Sequence, residues 1–408
     1  MHLTNRCSPE VDKDMSVRFP CPHSNQWRLL MPCLIANMMS PTFAIAIPGC
    51  QYDLADMTDY LANAYPVLAK KLHKLPLADL PTPVTSGRIE TGEVSANVDV
   101  KRDDMTSSFY GGNKLRKLEY LLRRVQEKNA RCIATFGSVA SNHALATTLY
   151  AERTGLPCIC LLSHQTKTPA ARRVLSILLQ HDAEIVCYRG DYHSRIETMR
   201  RHVQGRGCSV IPLGGSSWLG TVGYVNAGLE FAAQVAAGEA PCPGRIYIAT
   251  GTMGSAGGLA LGLALAGLDS SVQAVRVSPS SLMSEDRLYK LMNKTALMLN
   301  RIDPSIPADL VRRTNIETRH DFFGDGYAKS NAATDRAVAI AREQLQLSLE
   351  TTYTGKAMAA LVHDIEQRYV GNSRLLFWNT YNSSPLPPVD ESTLDLERLP
   401  AEFGRYFD

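Results

Sequence analysis

The sequence predicts an α/β protein of two domains, each a mostly parallel, twisted sheet covered by helices. Three observations carry this. Between residues 132 and 277 strand-like and helical segments alternate with short connections, the pattern of right-handed βαβ units. The strand-like runs are short and apolar without strict alternation, as in sheets buried on both faces. More than about eight strands over roughly 300 residues suit two sheets better than one.

Residues 1–75 read as an N-terminal extension, poorly ordered or helical. Its apolar run 29–50 is broken by Pro32, Asn37, Pro41 and Pro48 and so makes a poor spanning helix. The run also follows 28 mostly polar residues, unlike a signal peptide, and Ile47-Pro48-Gly49-Cys50 is only faintly like a lipoprotein cleavage site. Residues 57–80 hold a helix or two ending at Pro76. Leu80-Pro81-Thr82-Pro83-Val84 is extended, because proline disfavours helix at itself and just before. A short strand begins at Val98 and runs into the polar turn Lys101-Arg102-Asp103-Asp104. Next come Tyr110-Gly111-Gly112-Asn113-Lys114 and a helix marked by Leu115, Leu118, Leu121, Leu122 and Val125, with Asn113 as its cap.

Strands at 132–136, 157–162, 184–188 and 209–213 then alternate with helices at 142–153, 170–180 and 195–202. Helix 222–236, strand 245–250, helix 256–266 and strand 271–277 follow. Helices at 284–299, 331–346 and 355–369 lead to a short buried strand, Leu375-Leu376-Phe377-Trp378. The proline- and acid-rich tail from Pro385 reads as surface wrapping. Residues 76–116 plus 226–408 form the larger domain of this scheme, and 117–225 the smaller.

Composition excludes several classes. With 45% hydrophobic and 20% charged residues over 408 positions, the chain is an ordinary soluble globular protein. A net charge of +3 and the lack of a basic patch interleaved with aromatics argue against nucleic acid as a partner. Nothing beyond the early apolar run suggests a membrane. Ten cysteines are scattered with no CxxC, so no metal site is expected. Alternation places Cys158 and Cys160 on one strand face. Cys132, Cys158, Cys160 and Cys187 all lie in apolar runs, where free cysteine acts as a small hydrophobe, which fits a reduced, cytoplasmic setting.

Lys114 falls in the first turn of its helix, where the dipole disfavours a cation and favours loss of its proton. A neutral amine there can form a Schiff base. Read locally, it is first of all an ordinary solvated lysine in a basic run with Arg116, Lys117, Arg123 and Arg124. In open α/β sheets ligands gather at the carboxyl ends of strands, so the loops there decide the matter. Gly137-Ser138-Val139-Ala140-Ser141-Asn142-His143 follows one strand, with Ser141 or Asn142 capping the next helix. Thr250-Gly251-Thr252-Met253-Gly254-Ser255-Ala256-Gly257-Gly258 follows another, a turn suited to a phosphate monoester but not a P-loop, since no Lys-Ser or Lys-Thr follows. Leu213-Gly214-Gly215-Ser216, Tyr353-Thr354-Gly355-Lys356 and Asn379-Thr380-Tyr381-Asn382 add hydroxyls and amides. A Schiff-base lysine, a phosphate cradle and a partner for a ring nitrogen are what pyridoxal 5'-phosphate requires.

These blocks, with Ser141-Asn142-His143-Ala144, Gly223-Tyr224-Val225 and Gly326-Tyr327, resemble the 1-aminocyclopropane-1-carboxylate deaminase and D-cysteine desulfhydrase family. That family lies within the fold-type II pyridoxal-phosphate enzymes, typified by the tryptophan synthase β chain. The resemblance spans about residues 75 to 385. It implies that the larger domain binds the cofactor and that Lys114 is its Schiff-base lysine. Ser141 would assist proton transfer or hold substrate, with Asn113, Asn142 and His143 beside it. Asn142 would also reach the cofactor. Thr252, Gly254, Ser255 and Ala256 would hold the phosphate, and Tyr327 and Tyr353 would act as acid, base or orienting groups. Thr380 would face the ring nitrogen, and Thr354 would line the cofactor site.

Two departures stand out. Where the family commonly has His-Thr-Gly-Gly this chain has Asn379-Thr380-Tyr381-Asn382, and Thr354 stands where the cyclopropane deaminases have glutamate. A hydroxyl in place of that carboxylate leaves the ring nitrogen closer to neutral. The expected function is therefore D-cysteine desulfhydrase-like β-elimination from a small amino acid by a cytoplasmic homodimer. The alternatives are cyclopropane-carboxylate deamination, elimination from another β-substituted amino acid, and cofactor binding without turnover.

Overall fold

A computed structural model describes residues 59–371 and 373–408, so the early apolar run and the 47–50 motif lie outside the described residues. The chain begins with two short helices, α1 (Tyr60–Ala64) and α2 (Pro66–Ala69), which bury Leu61 and Leu68. Strands β1 (Val84–Thr91) and β2 (Val94–Lys101) form an antiparallel hairpin around Gly92-Glu93, where Gly92 takes a positive φ of 58°. The sequence reading missed β1 and started β2 late. β1 is an edge strand with mostly exposed polar residues, so it carries little hydrophobic signal.

Helix α3 (Asn113–Glu127) leads to four βα units: β3 (Cys132–Ser138), α4 (Asn142–Arg153), β4 (Cys158–Ser163), α5 (Pro169–Gln180), β5 (Glu184–Cys187), α6 (Tyr192–His202), β6 (Cys208–Ile211) and α7 (Trp218–Ala236). Then come β7 (Arg245–Thr250), α8 (Gly254–Ala266), β8 (Ser271–Arg276), α9 (Glu285–Ile302), β9 (Ile316–Arg319), α10 (Ala332–Leu345), α11 (Thr354–Glu366) and β10 (Leu375–Trp378). β9 also went unread, since Ile-Glu-Thr-Arg at a sheet edge offers one apolar residue in four.

Two sheets result. Four parallel strands in the order β5-β4-β3-β6 form one, and β1-β2-β10-β7-β8-β9 form the other, parallel apart from β1. The last strand in sequence inserts between β2 and β7, which brings the carboxyl ends of all three to one side. Helices α7 and α8 pack closely because both are glycine where they cross: a Cβ on Gly228 would lie 2.9 Å from the Cα of Gly262. Among the described residues, no helix is long and apolar enough to cross a membrane.

Two expectations are corrected. Asn113 does not cap α3; Gly112, at φ 93°, holds that position and Asn113 is the first helical residue. Cys132 is not a free thiol but forms a disulfide with Cys208, its register partner across β3 and β6, with Cα atoms 4.3 Å apart. A separation of 76 residues hides such a pair until strand order is known, and the cysteines no longer argue for a reduced setting. Cys158 and Cys160 are buried free thiols on one face of β4, 3.9 Å apart. The tail does wrap the surface, along α5.

Candidate active site

The carboxyl ends of both sheets open onto one cavity of about 240 Å³. Lys114 faces it from the first turn of α3. Three backbone bonds fix that turn: Gly111 N–H donates to Asn382 Oδ1 at 2.7 Å, Gly112 N–H to Asp103 O at 3.0 Å, and Asn113 N–H to Thr380 O at 3.1 Å. Only glycine fits at 111, where a Cβ would meet the Asp104 carbonyl oxygen at 2.5 Å. Burial holds the Lys114 ammonium down at about 8, with the Glu350 carboxylate pulling the other way. Its amine donates to Asn113 Oδ1 at 3.0 Å, and the Asn113 amide donates in turn to Ser255 Oγ at 3.0 Å. Lys114 is therefore no solvated surface residue.

The 250–258 loop builds a cradle. Met253, left-handed at φ 68°, turns the chain into α8, and Thr252, Ser255 and Ala256 line the cavity at that helix start. Gly254 N–H donates to Ser216 Oγ at 3.3 Å, and the Ser216 hydroxyl also contacts Thr252 Oγ1 at 2.8 Å. Lys117 Nζ reaches the same hydroxyl at 3.3 Å and the Gly214 carbonyl at 3.2 Å. A Cβ on Gly254 would fill this space, 2.7 Å from Ser216 Oγ and 3.1 Å from Lys117 Nζ. Burial first, and then Lys114, depress the Lys117 ammonium well below its ordinary range. Helix-start amides, hydroxyls and one uncompensated cation form a donor set for a phosphate.

On the side of the four-stranded sheet, Ser141 caps α4, its Oγ accepting from Ala144 N–H at 3.2 Å, and Asn142 stands beside it on the cavity wall. His143 is buried against Thr135 Oγ1 at 3.0 Å; burial, and then Lys114, hold its imidazole neutral. Opposite, the Tyr327 and Tyr353 hydroxyls are in hydrogen-bond contact, and Ser138 Oγ lies 3.5 Å from Tyr327. Burial raises both phenols, so they stay protonated. Thr354 and Thr380 also line the cavity.

Lys117 and Glu350 are among the cavity residues to which the sequence reading gives no role. Lys117 was legible at i+3 from Lys114, on the same helix face. Glu350 carried no signal. Its carboxylate lines the cavity and accepts the backbone N–H groups of Thr352, Tyr353 and Thr354 at 2.7–3.0 Å. Thr354 Oγ1 donates to it at 3.1 Å, and burial outweighs these bonds to push its pKa up. The departure at 379–382 also has a structural use, since Asn382 holds Gly111 and Tyr381 lines the cavity wall.

Residues 75–380 match the family model described as pyridoxal-phosphate dependent enzyme. The chain belongs to this family. It is 32% identical over 316 residues to D-cysteine desulfhydrases of Salmonella paratyphi C and Salmonella choleraesuis, covering 75% of this chain and 93% of each relative. Among solved structures, it is similar to one titled as the ACC deaminase homologue, with TM-score 0.62 and 28% identity over 78% of this chain and 94% of that one. An aspartate racemase at 16% identity and TM-score 0.53 shares the fold. The fold is accordingly that of the fold-type II enzymes, and pyridoxal 5'-phosphate is the cofactor. The cavity fits it: the Lys114 amine has a lowered proton affinity, and a cradle of phosphate donors is kept open by Gly254.

Proposed function

We propose that the chain is a D-cysteine desulfhydrase-like lyase that converts a small amino acid and water into a keto acid, ammonium and sulfide. The observation that carries the reading is Lys114, an amine held at about 8 and facing a phosphate-type cradle, in a chain similar to D-cysteine desulfhydrases. When bound, the cofactor supplies an electron sink that stabilises charge developing at Cα. Lys114 would hold the cofactor's aldehyde, and its neutral amine would take the Cα proton of the substrate on Nζ. Thr252, Gly254, Ser255, Ala256 and Lys117 would hold the phosphate, and Thr354 and Thr380 would lie on the side of the ring. Ser141, Asn142, Asn113 and His143 hold the substrate, with Asn142 shared with the cofactor. The protonated Tyr327–Tyr353 pair donates to the departing group as the Cβ–S bond breaks and its electron pair leaves on sulfur. The enzyme works as a cytoplasmic homodimer on this reading.

Thr354 favours elimination over cyclopropane opening, because the position next to Tyr353 bears a hydroxyl. The similarity to the ACC deaminase homologue keeps that second reading in view. Incubating the holoenzyme with D-cysteine, L-cysteine, D-serine, cysteate and the cyclopropane acid, and measuring keto acid, separates them. Pyruvate and sulfide from D-cysteine are the expected products; α-ketobutyrate from the cyclopropane acid alone selects the second reading. Lys114→Ala should lose the visible band at ~420 nm and at least ~10³-fold in turnover. Retention of both would refute the assignment.

A further inference from the structure

The segment after β10 lines the cavity at its start and packs at its far end against a loop of the cavity wall. It contributes Thr380, Tyr381 and Asn382 to the wall and then crosses to the four-stranded sheet. Along α5, Arg173 donates to the Pro387 carbonyl at 2.7 Å and Gln180 to the Pro388 carbonyl at 2.8 Å. Gln180 Oε1 accepts the Asp390 N–H at 3.1 Å, and Arg398 pairs with Asp182 at 2.7 Å. The segment then buries Phe403 and Tyr406, 0% and 2% exposed, against the loop that follows β4.

There a single hydroxyl clamps one residue of that loop. Tyr406 OH donates to the Gln165 carbonyl at 2.8 Å and accepts the Gln165 N–H at 3.1 Å. His164 Nδ1 lies 3.3 Å from the same oxygen, and its ring stacks on Tyr406 at 6.0 Å and meets Phe403 edge-on at 5.1 Å. His164 lines the cavity. Gln165 points the other way along the wall, its Oε1 accepting the N–H of Ala140 at 3.4 Å. Ala140 immediately precedes Ser141. The neighbouring bond from Val139 N–H to the Ser163 carbonyl, at 3.0 Å, runs between the same two loops.

We propose that Tyr406 is a positioning residue for the active site, holding His164 in the cavity wall and, through Gln165, the loop that presents Ser141. Phe403 and the Tyr406 ring already bury the apolar surface, so the hydroxyl adds register rather than bulk. A loop at a strand end is otherwise the mobile part of such a fold. Tyr406 does not touch the cavity and acts only through residues 164 and 165. The inference rests on the reading of Ser141 as substrate-facing.

The test is a double-mutant cycle on the full-length holoenzyme with Tyr406→Phe and Gln165→Ala. Each single variant should lower kcat/KM on D-cysteine roughly tenfold, the worth of about one net hydrogen bond, with the cofactor band unchanged. The double variant should fall clearly short of full additivity, because the two changes share the path through Gln165 to Ala140. Amide hydrogen exchange adds a readout independent of turnover: the peptide spanning 137–145 should exchange faster in Tyr406→Phe. Wild-type kcat/KM and exchange in that variant overturn the proposal, as does full additivity in the double. If the wild type releases no keto acid, the lyase reading fails and exchange alone decides the clamp. Should Tyr406→Phe not fold, Gln165→Ala carries the exchange measurement.

Discussion

Helix α3 carries cations turned away from bulk water on two of its faces, and they live under opposite rules. On one face Arg116, 1% exposed, donates to Asp103 at 2.7 and 3.0 Å and to Glu230 at 2.8 and 3.0 Å. Lys101 adds a bond to Glu230 at 2.6 Å, while Tyr224 and Trp378 Nε1 each donate to Asp103 at 2.7 Å. Two cations meet two carboxylates, and nearly every lone pair is used. On the other face Lys114 and Lys117, one turn apart, share a cavity with one carboxylate, Glu350, which is itself occupied by the start of α11. The paired set ties β2, α3, α7 and β10 together; the under-paired set is left ready for an anionic, aldehyde-bearing ligand. Charge that folding has neutralised builds the frame, and charge that folding has left unmatched awaits the cofactor.

Breaking the paired set should have the largest effect. Glu230→Gln leaves Lys101 and Arg116 facing one carboxylate, and should cost about 3–5 kcal/mol in urea unfolding. Its pH signature follows from sign. Burial pushes the Glu230 carboxyl up, but Arg116 and Lys101 hold it at about 2 against its ordinary 4.5. The stability it contributes is complete above about 4.5 and is lost as pH falls towards 2. The variant should lose that part of the acid limb. A Glu230→Gln protein as stable as wild type at neutral pH would mean that the network is no frame.

The opposite behaviour is expected of Lys117→Met. Removing an uncompensated buried cation should leave the cofactor-free protein as stable as wild type or more so. Cofactor affinity should fall about 10- to 100-fold, the worth of a charge-assisted hydrogen bond to phosphate. Titrating cofactor-free protein with pyridoxal 5'-phosphate reads this directly. Lost stability with unchanged affinity would move Lys117 into the structural class.

Much of this was legible in sequence, and the misses share a cause. The βα alternation gave both sheets because buried parallel strands are apolar throughout, whereas β1 and β9 lie at edges and look polar. The loops at strand ends announced themselves by glycine and hydroxyl content. Pairings between distant segments did not. Nothing local separates Arg116 from Lys117, adjacent in sequence, one locked to Asp103 and Glu230 and the other open to the cavity. Nor does anything mark Cys132 and Cys208 until β6 is laid beside β3, or Glu350 until α11 begins against it. Helical spacing could have grouped Lys117 with Lys114, since residues three apart share a face, but in sequence it stands only as one member of a basic run.

The smallest effect is the most specific to the under-paired face. Attachment of the cofactor needs the neutral amine of Lys114, and burial lowers its pKa from the ordinary 10.5 to about 8. The fraction of neutral amine rises with pH, so cofactor-free protein mixed with pyridoxal 5'-phosphate should develop the ~420 nm band faster as pH rises. The rate should reach half its plateau near pH 8 rather than beyond 10. Glu350 pulls the other way, favouring the ammonium, so Glu350→Gln should move that midpoint to lower pH. Glu230→Gln, on the opposite face, should leave it where it is. A midpoint that follows Glu230 and ignores Glu350 would erase the distinction between the two faces of α3.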